Sequence, residues 1–161
     1  MTRKIGALLV SLLAAPAAAH GEAGGAASPR GAEDGRYRRG LARLAEIDGE
    51  AGQRVVEGLR GVAPDLGRYV VEFAFGDVYS RPGLDLRSRE IATVAALAAL
   101  GNARPQLKVH LHAALNVGCT RAEVVEVLIQ MALYAGFPAA LNGVEAAREV
   151  FAERDAKGLR N

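Results

Sequence analysis

Residues 107–136 read LKVHLHAALNVGCTRAEVVEVLIQMALYAG and carry two helix signals back to back. Apolar residues recur at helical spacing from Leu107 to Val117, and Gly118 then offers the left-handed conformation that stops helices. Two residues later, Thr120 and Glu123 make a T-x-x-E capping box ahead of VVEVLIQMALYA. In that box the threonine hydroxyl accepts from the backbone N–H three residues on, and the glutamate reaches back to the cap. Gly136 closes this second helix, and Pro138 opens a third, AALNGVEAAREVFAERD.

The same punctuation extends upstream. Asp85 caps LRSREIATVAALAALG, which ends at Gly101, and Pro105 suits the first turn of the helix that follows. SRPGLD is a loop marked by Pro82-Gly83. Before it, Asp65 reads as the N-cap of LGRYVVEFAFGDVY, with Leu66, Tyr69, Val70 and Phe73 as its buried stripe. RYRRGLARLAEI presents Leu41, Leu44, Ala45 and Ile47; EAGQRVVEGLRGV presents Val55, Val56, Leu59 and Val62. No segment alternates with period two, so the fold class is all-α.

The 161 residues, half of them hydrophobic, suffice for one domain with a real core. A net charge of +2 with interspersed signs argues against a nucleic-acid-binding surface. The single cysteine excludes an intramolecular disulfide, a CxxC pair and an all-cysteine metal site. Residues 1–19, a basic MTRK followed by a short apolar run with small residues at Ala17 and Ala19, read as a secretory signal peptide. Residues 20–35 then form a flexible tail, 36–155 the helical domain and 156–161 a C-terminal tail. On this reading the protein is periplasmic or secreted, with no membrane attachment after cleavage; it is cytoplasmic if the start codon is misassigned.

His110 and His112 lie about 160° apart around one helix, so they cannot share a metal. His110 falls on the face of Leu107, Ala114 and Val117 and points inward; His112 falls with Lys108 and Asn116 at a rim. Glu90 aligns with Val94 and Leu97, an apolar face where a carboxylate needs a partner. Arg87 and His110 are the two candidates. A simple antiparallel hairpin is expected to keep Glu90 and His110 apart, so their contact calls for a skewed crossing or a partner subunit. Tyr79, Arg81, Arg87, Arg89 and Tyr134 supply cations and hydroxyls suited to a small carboxylate-bearing substrate. Cys119, beside the N-cap and without a second thiol, reads as structural.

FGDVYSRPGLDLRSREIATVAALAALG and QLKVHLHAALNVGCTRAEVVEVLIQMALYAGFPAALNG resemble the carboxymuconolactone decarboxylase family of the alkylhydroperoxidase D-like superfamily, over about residues 40–152. The resemblance implies an all-helical bundle that assembles into homo-oligomers, commonly trimers or hexamers, with sites near subunit interfaces. In the peroxidase branch a glutamate, a CxxC pair and a histidine form a relay. Glu90 and His110 match its two ends, but the cysteine positions fall in NARPQ, so peroxidase chemistry is disfavoured.

The decarboxylase branch removes carbon dioxide from 4-carboxymuconolactone without a cofactor or metal, giving an enol-lactone. For such a reaction His110 is the candidate general acid, supported by Glu90; Arg81 and Arg89 are the candidate carboxylate holders. Tyr134 or His110 can serve the oxyanion, and Tyr79 completes the substrate-binding set. Aromatic catabolism through this lactone is cytoplasmic, so export of the chain implies a different substrate or a misplaced start. A non-catalytic helical oligomer is the remaining alternative.

Overall fold

The computed structural model describes residues 30–159; the signal segment and most of the tail expected before the domain lie outside these residues. Seven α-helices follow in order: α1 (Arg30–Asp48), α2 (Glu50–Gly58), α3 (Pro64–Tyr69), α4 (Leu86–Leu100), α5 (Arg104–Asn116), α6 (Arg121–Ala135) and α7 (Phe137–Ala156). A π-helical segment, Val70–Val78, continues α3 without a break. No strand occurs among the described residues, and none of their helices is long and apolar enough to cross a membrane.

Local signals fix the second half of the chain. The Asp85 side chain accepts from the Ser88 N–H at 2.7 Å. The Thr120–Glu123 capping box is complete, and Gly101 and Gly118 both turn with positive φ. The α4–α7 core contains Val94, Leu111, Leu115, Leu128 and Val150, all at most 1% exposed. Fully burying side chains of this kind contributes about 1.5–3 kcal/mol each.

The first half departs from expectation in four places, the first being α2, which stops at Gly58 and leaves Val62 beyond it and 89% exposed. Helix α1 starts at Arg30, inside the stretch read as a tail. From Arg36 onward the helix is tied to the rest of the fold: Arg36 Nε binds Asp77 at 2.9 Å, and Arg39 donates to the Gly76 carbonyl at 2.8 Å. Helix α3 starts at Pro64, with Ala63 at the cap, so Asp65 is a first-turn acid facing the positive helix end. Of the expected stripe, Val70 packs against the core but the other three residues lie on the wrong face. Leu66, Tyr69 and Phe73 are more than half exposed, while Gly67, Val71, Glu72, Phe75 and Gly76 are buried.

Backbone contact explains this last reversal. A Cβ at Gly40 of α1 would stand 2.0 Å from the Val71 carbonyl oxygen, and one at Gly76 would stand 2.8 Å from the Arg36 carbonyl oxygen. The two rods meet through their glycines, which a search for large apolar side chains passes over. A second, smaller core forms there from Leu44, Ile47, Val71, Phe75 and Ala113. Helix α5 contributes to both cores, Leu111 and Leu115 to one and Ala113 to the other. The seam between the two cores is where a cavity opens.

Candidate active site

Glu90 is completely buried in the first turns of α4, and its Oε2 lies 2.9 Å from His110 Nδ1 of α5. The contact forms within one chain. Glu90 is ten residues before the end of α4 at Leu100, and His110 is six residues after the start of α5 at Arg104. At 1.5 Å per residue these are about 15 Å and 9 Å from the link. A plain hairpin therefore brings them within about one turn of each other, and the long glutamate side chain spans the remainder. Neither a skewed crossing nor a second subunit is required. Arg87, the other candidate partner of Glu90, instead pairs with Glu123 across the α6 cap.

His110 lines a cavity of about 450 Å³ together with Leu44 and Asp48 of α1, Gly52 and Val55 of α2, and Val70, Ala74 and Phe75 of the π segment. Tyr79, Thr93 of α4 and Pro105, Gln106 and Val109 of α5 complete the wall. With Nδ1 given to Glu90, Nε2 is the histidine nitrogen left for a ligand. Burial works against protonation of this imidazole. The hydrogen bond and charge of Glu90, joined by the charge of Asp48, outweigh burial and hold the His110 pKa above its ordinary value.

Tyr79 stacks on Phe75 with ring centroids 5.2 Å apart, and its hydroxyl lies 2.8 Å from Thr93 Oγ1. Thr93 donates its own proton to the Arg89 carbonyl at 2.9 Å, so Tyr79 donates to Thr93. Burial, and next the charge of Glu90, push the phenol pKa well up, keeping it neutral. Tyr79 is thus a neutral polar wall whose proton is already engaged.

The remaining expected substrate ligands do not line this cavity. Arg81 is exposed, and its carbonyl accepts from Arg89 at 3.0 Å. The Arg89 guanidinium carbon sits 6.0 Å from the Tyr79 ring centre, beside the wall rather than in it. Tyr134 is 77% exposed at the end of α6. His112 joins a surface network with Glu153 and Lys108. Cys119 is buried, and burial raises its thiol pKa, which opposes nucleophilic reactivity.

Asp48 was missed by the reading of the sequence. It is 8% exposed, and burial lifts its carboxyl pKa to about 6, against the pull of His110 and with Glu90 adding to the rise. A signal was present: Asp48 stands four residues after Leu44 and seven after Leu41, on the apolar stripe of α1. The test that singled out Glu90 applies equally to it. Among the described residues, no three His, Cys, Asp or Glu side chains gather into a group able to hold a metal ion.

A family model described as the carboxymuconolactone decarboxylase family matches residues 64–149, from α3 into α7 and across both Glu90 and His110. The chain belongs to the carboxymuconolactone decarboxylase family. It is 38% identical over 120 residues to a 4-carboxymuconolactone decarboxylase of Acinetobacter baylyi, covering 74% of this chain and 89% of that one. An uncharacterized 15.0 kDa protein of Paracoccus denitrificans is 35% identical over 95 residues, or 58% and 71% of the two chains. A nitrosuccinic acid decarboxylase of Metarhizium robertsii is 33% identical over 76 residues, or 47% and 52%. Two relatives therefore carry decarboxylase names with different acids. Helices α1 and α2, which carry the Asp48 wall, lie outside the stretch matched by the family model.

Proposed function

We propose that this chain is a decarboxylase of 4-carboxymuconolactone or a related small carboxylated lactone, releasing carbon dioxide and an enol-lactone without a metal or redox cofactor. The observation that carries this reading is the Glu90–His110 couple opening into an apolar cavity of about 450 Å³. Such a volume suits a ligand of this size.

The chemistry follows from the walls. Apolar side chains surround the space, and a carboxylate moved there loses hydration that the spreading charge of the transition state needs less. As carbon dioxide leaves, the electron pair of the broken C–C bond passes through the ring alkene to the lactone carbonyl. His110, held protonated by Glu90, stabilises the oxyanion through Nε2–H and delivers the proton that forms the new C–H bond. Glu90 keeps the imidazole oriented and charged. The family membership and the two named decarboxylase relatives support the reaction class.

The homo-oligomer expected from the resemblance fits the same reading. Leu133, Tyr134 and Phe137 at the α6–α7 junction are 80%, 77% and 73% exposed, an apolar surface of the kind that copies of a chain cover. Sedimentation equilibrium of wild type and Phe137→Asp tests this, and monomers in both would refute it. The function itself is tested by following the absorbance of 4-carboxymuconolactone and other carboxylated lactones with purified, chelator-treated protein. Turnover of none of them would remove the proposal.

A further inference from the structure

Asp48 ends α1 and lines the same cavity as His110, yet it forms no ion pair among the described residues, and its Oδ1 is buried without a hydrogen-bond partner. Buried polar atoms are nearly always satisfied, and an orphan costs about 1–3 kcal/mol. The fold nonetheless holds the side chain there by several means. Gly49 turns the chain at φ 56°, and Gly52 lets α2 fold back over the end of α1. A Cβ at Gly52 would come within 2.9 Å of the Asp48 Cβ and 2.4 Å of Leu44 Cδ1. Asn116 of α5 donates to the Ile47 carbonyl at 2.9 Å, and Arg154 donates to Asn116 Oδ1 at 2.8 Å. The end of α1 is thereby tied to the helix that carries His110.

The groups that act on Asp48 are His110 from α5, Glu90 from α4 and Tyr79 at the end of the π segment. The α2 wall offers Gly52 and Val55, which do not titrate. No lysine or arginine is among the described lining residues, so an anion entering the cavity meets one imidazolium and one further acid. An ionised Asp48 would repel that anion; a neutral one can donate to it. Its place at the negative end of α1 also disfavours the carboxylate.

We propose that Asp48 touches the substrate, its neutral carboxyl group donating a hydrogen bond to a substrate carboxylate held beside His110. The inference rests on the cavity being the active site of the proposed decarboxylase. Substrate binding then carries a proton: above the titration of Asp48, each anion bound requires a proton to be taken up from solvent. The raised carboxyl pKa accords with this, since it makes the neutral form accessible near pH 6.

The probe is the saturated analogue of 4-carboxymuconolactone, which lacks the ring alkene and cannot decarboxylate. Calorimetric titration at pH 7.5 in phosphate and in Tris separates binding heat from buffer ionisation and counts protons. Once the His110 share is subtracted, wild type should take up close to one proton more than Asp48→Asn, and above pH 6 its affinity should fall more steeply than that of Asp48→Asn, by up to about tenfold per pH unit. Asp48→Asn keeps a donor and should bind at least tenfold more tightly than Asp48→Ala. Asp48→Asn also removes a charge that helps keep His110 protonated, so the His110 titration is followed by NMR in both proteins and its share of the uptake is subtracted, which isolates Asp48. Equal proton uptake in wild type and Asp48→Asn, or equal affinity in the asparagine and alanine variants, overturns the inference. If wild type still decarboxylates its substrate, those results leave the proposed function standing. A wild type that neither binds the analogue nor turns over any carboxylated lactone overturns both.

Discussion

Glu90 uses one carboxylate oxygen to hold His110 Nδ1 at 2.9 Å, while its other oxygen, Oε1, is buried without a partner. The acid is therefore committed to the imidazole. Glu90→Gln removes the negative charge but keeps the shape. We expect the His110 pKa to fall, because burial then acts against protonation with less opposition. Activity at pH 7.5 should drop at least tenfold, and the alkaline limb of the pH–rate profile should move to lower pH. Resonances of the His110 ring, followed by NMR across pH, report the shift directly; an unmoved titration would show that Glu90 does not govern the imidazole.

Cys119 should be dispensable for turnover. Its sulfur is buried 3.9 Å from the Arg87 carbonyl, and its thiol is harder to ionise than an ordinary one. Cys119→Ser should retain kcat within about twofold, with a stability loss on the order of 1 kcal/mol. Loss of activity in a folded Cys119→Ser protein would revive a thiol mechanism.

The contact of α1 with the π segment should tolerate no side chain at Gly40. The added methyl of Gly40→Ala would sit 2.0 Å from the Val71 carbonyl oxygen, so the two rods must separate. Overpacking of this kind costs about 1–3 kcal/mol. The midpoint of urea unfolding should fall accordingly, and an unchanged midpoint would contradict the packing described for this face.

Stability should carry an imprint of Asp48 across acid pH. Its folded pKa of about 6 lies above the ordinary value of 3.8, so the folded state holds this proton more tightly than the unfolded chain does. The contribution is full below pH about 4 and is lost as pH rises through 6, on the order of 3 kcal/mol. Glu123 acts in the opposite sense. Its cap and Arg87 contacts hold its pKa near 2, so its contribution is present above the ordinary 4.5 and lost as pH falls toward 2. The raised His110 adds stability that is present below its ordinary 6.5 and declines above it. Denaturant unfolding at pH 4, 5, 6 and 7 should show Asp48→Asn lacking part of the wild-type decline between pH 4 and 6. Parallel profiles would mean that Asp48 titrates normally.

These outcomes depend on features of unequal visibility in the sequence. The caps at Asp85 and Thr120 and the stops at Gly101 and Gly118 were legible because each is a bargain among neighbouring residues. Glu90 and His110 were legible because polar groups on apolar faces require partners. Their meeting was misjudged by an incomplete count of residues from the link. The face of α3 and the π segment was misread because glycines make its closest contact and because the π turns over Val70–Val78 depart from the 3.6-residue spacing by which a stripe is counted, which brings Val71 and Phe75 inward. Arg81, Arg89 and Tyr134 have the chemistry of carboxylate ligands, but their placement is set by long-range packing that residue type does not encode. Asp48 was legible by the test that singled out Glu90, since it continues the apolar stripe of Leu41 and Leu44, but it closes its helix, where a polar residue draws no notice.

The most direct test is carbon dioxide release from 4-carboxymuconolactone by wild type and His110→Ala, with circular dichroism confirming that both are folded. We expect steady turnover by wild type and a loss of about 10²–10⁴-fold in kcat for the variant, the range of general acid–base catalysis. Wild-type turnover that survives in folded His110→Ala would contradict the assignment of the reaction to the Glu90–His110 couple.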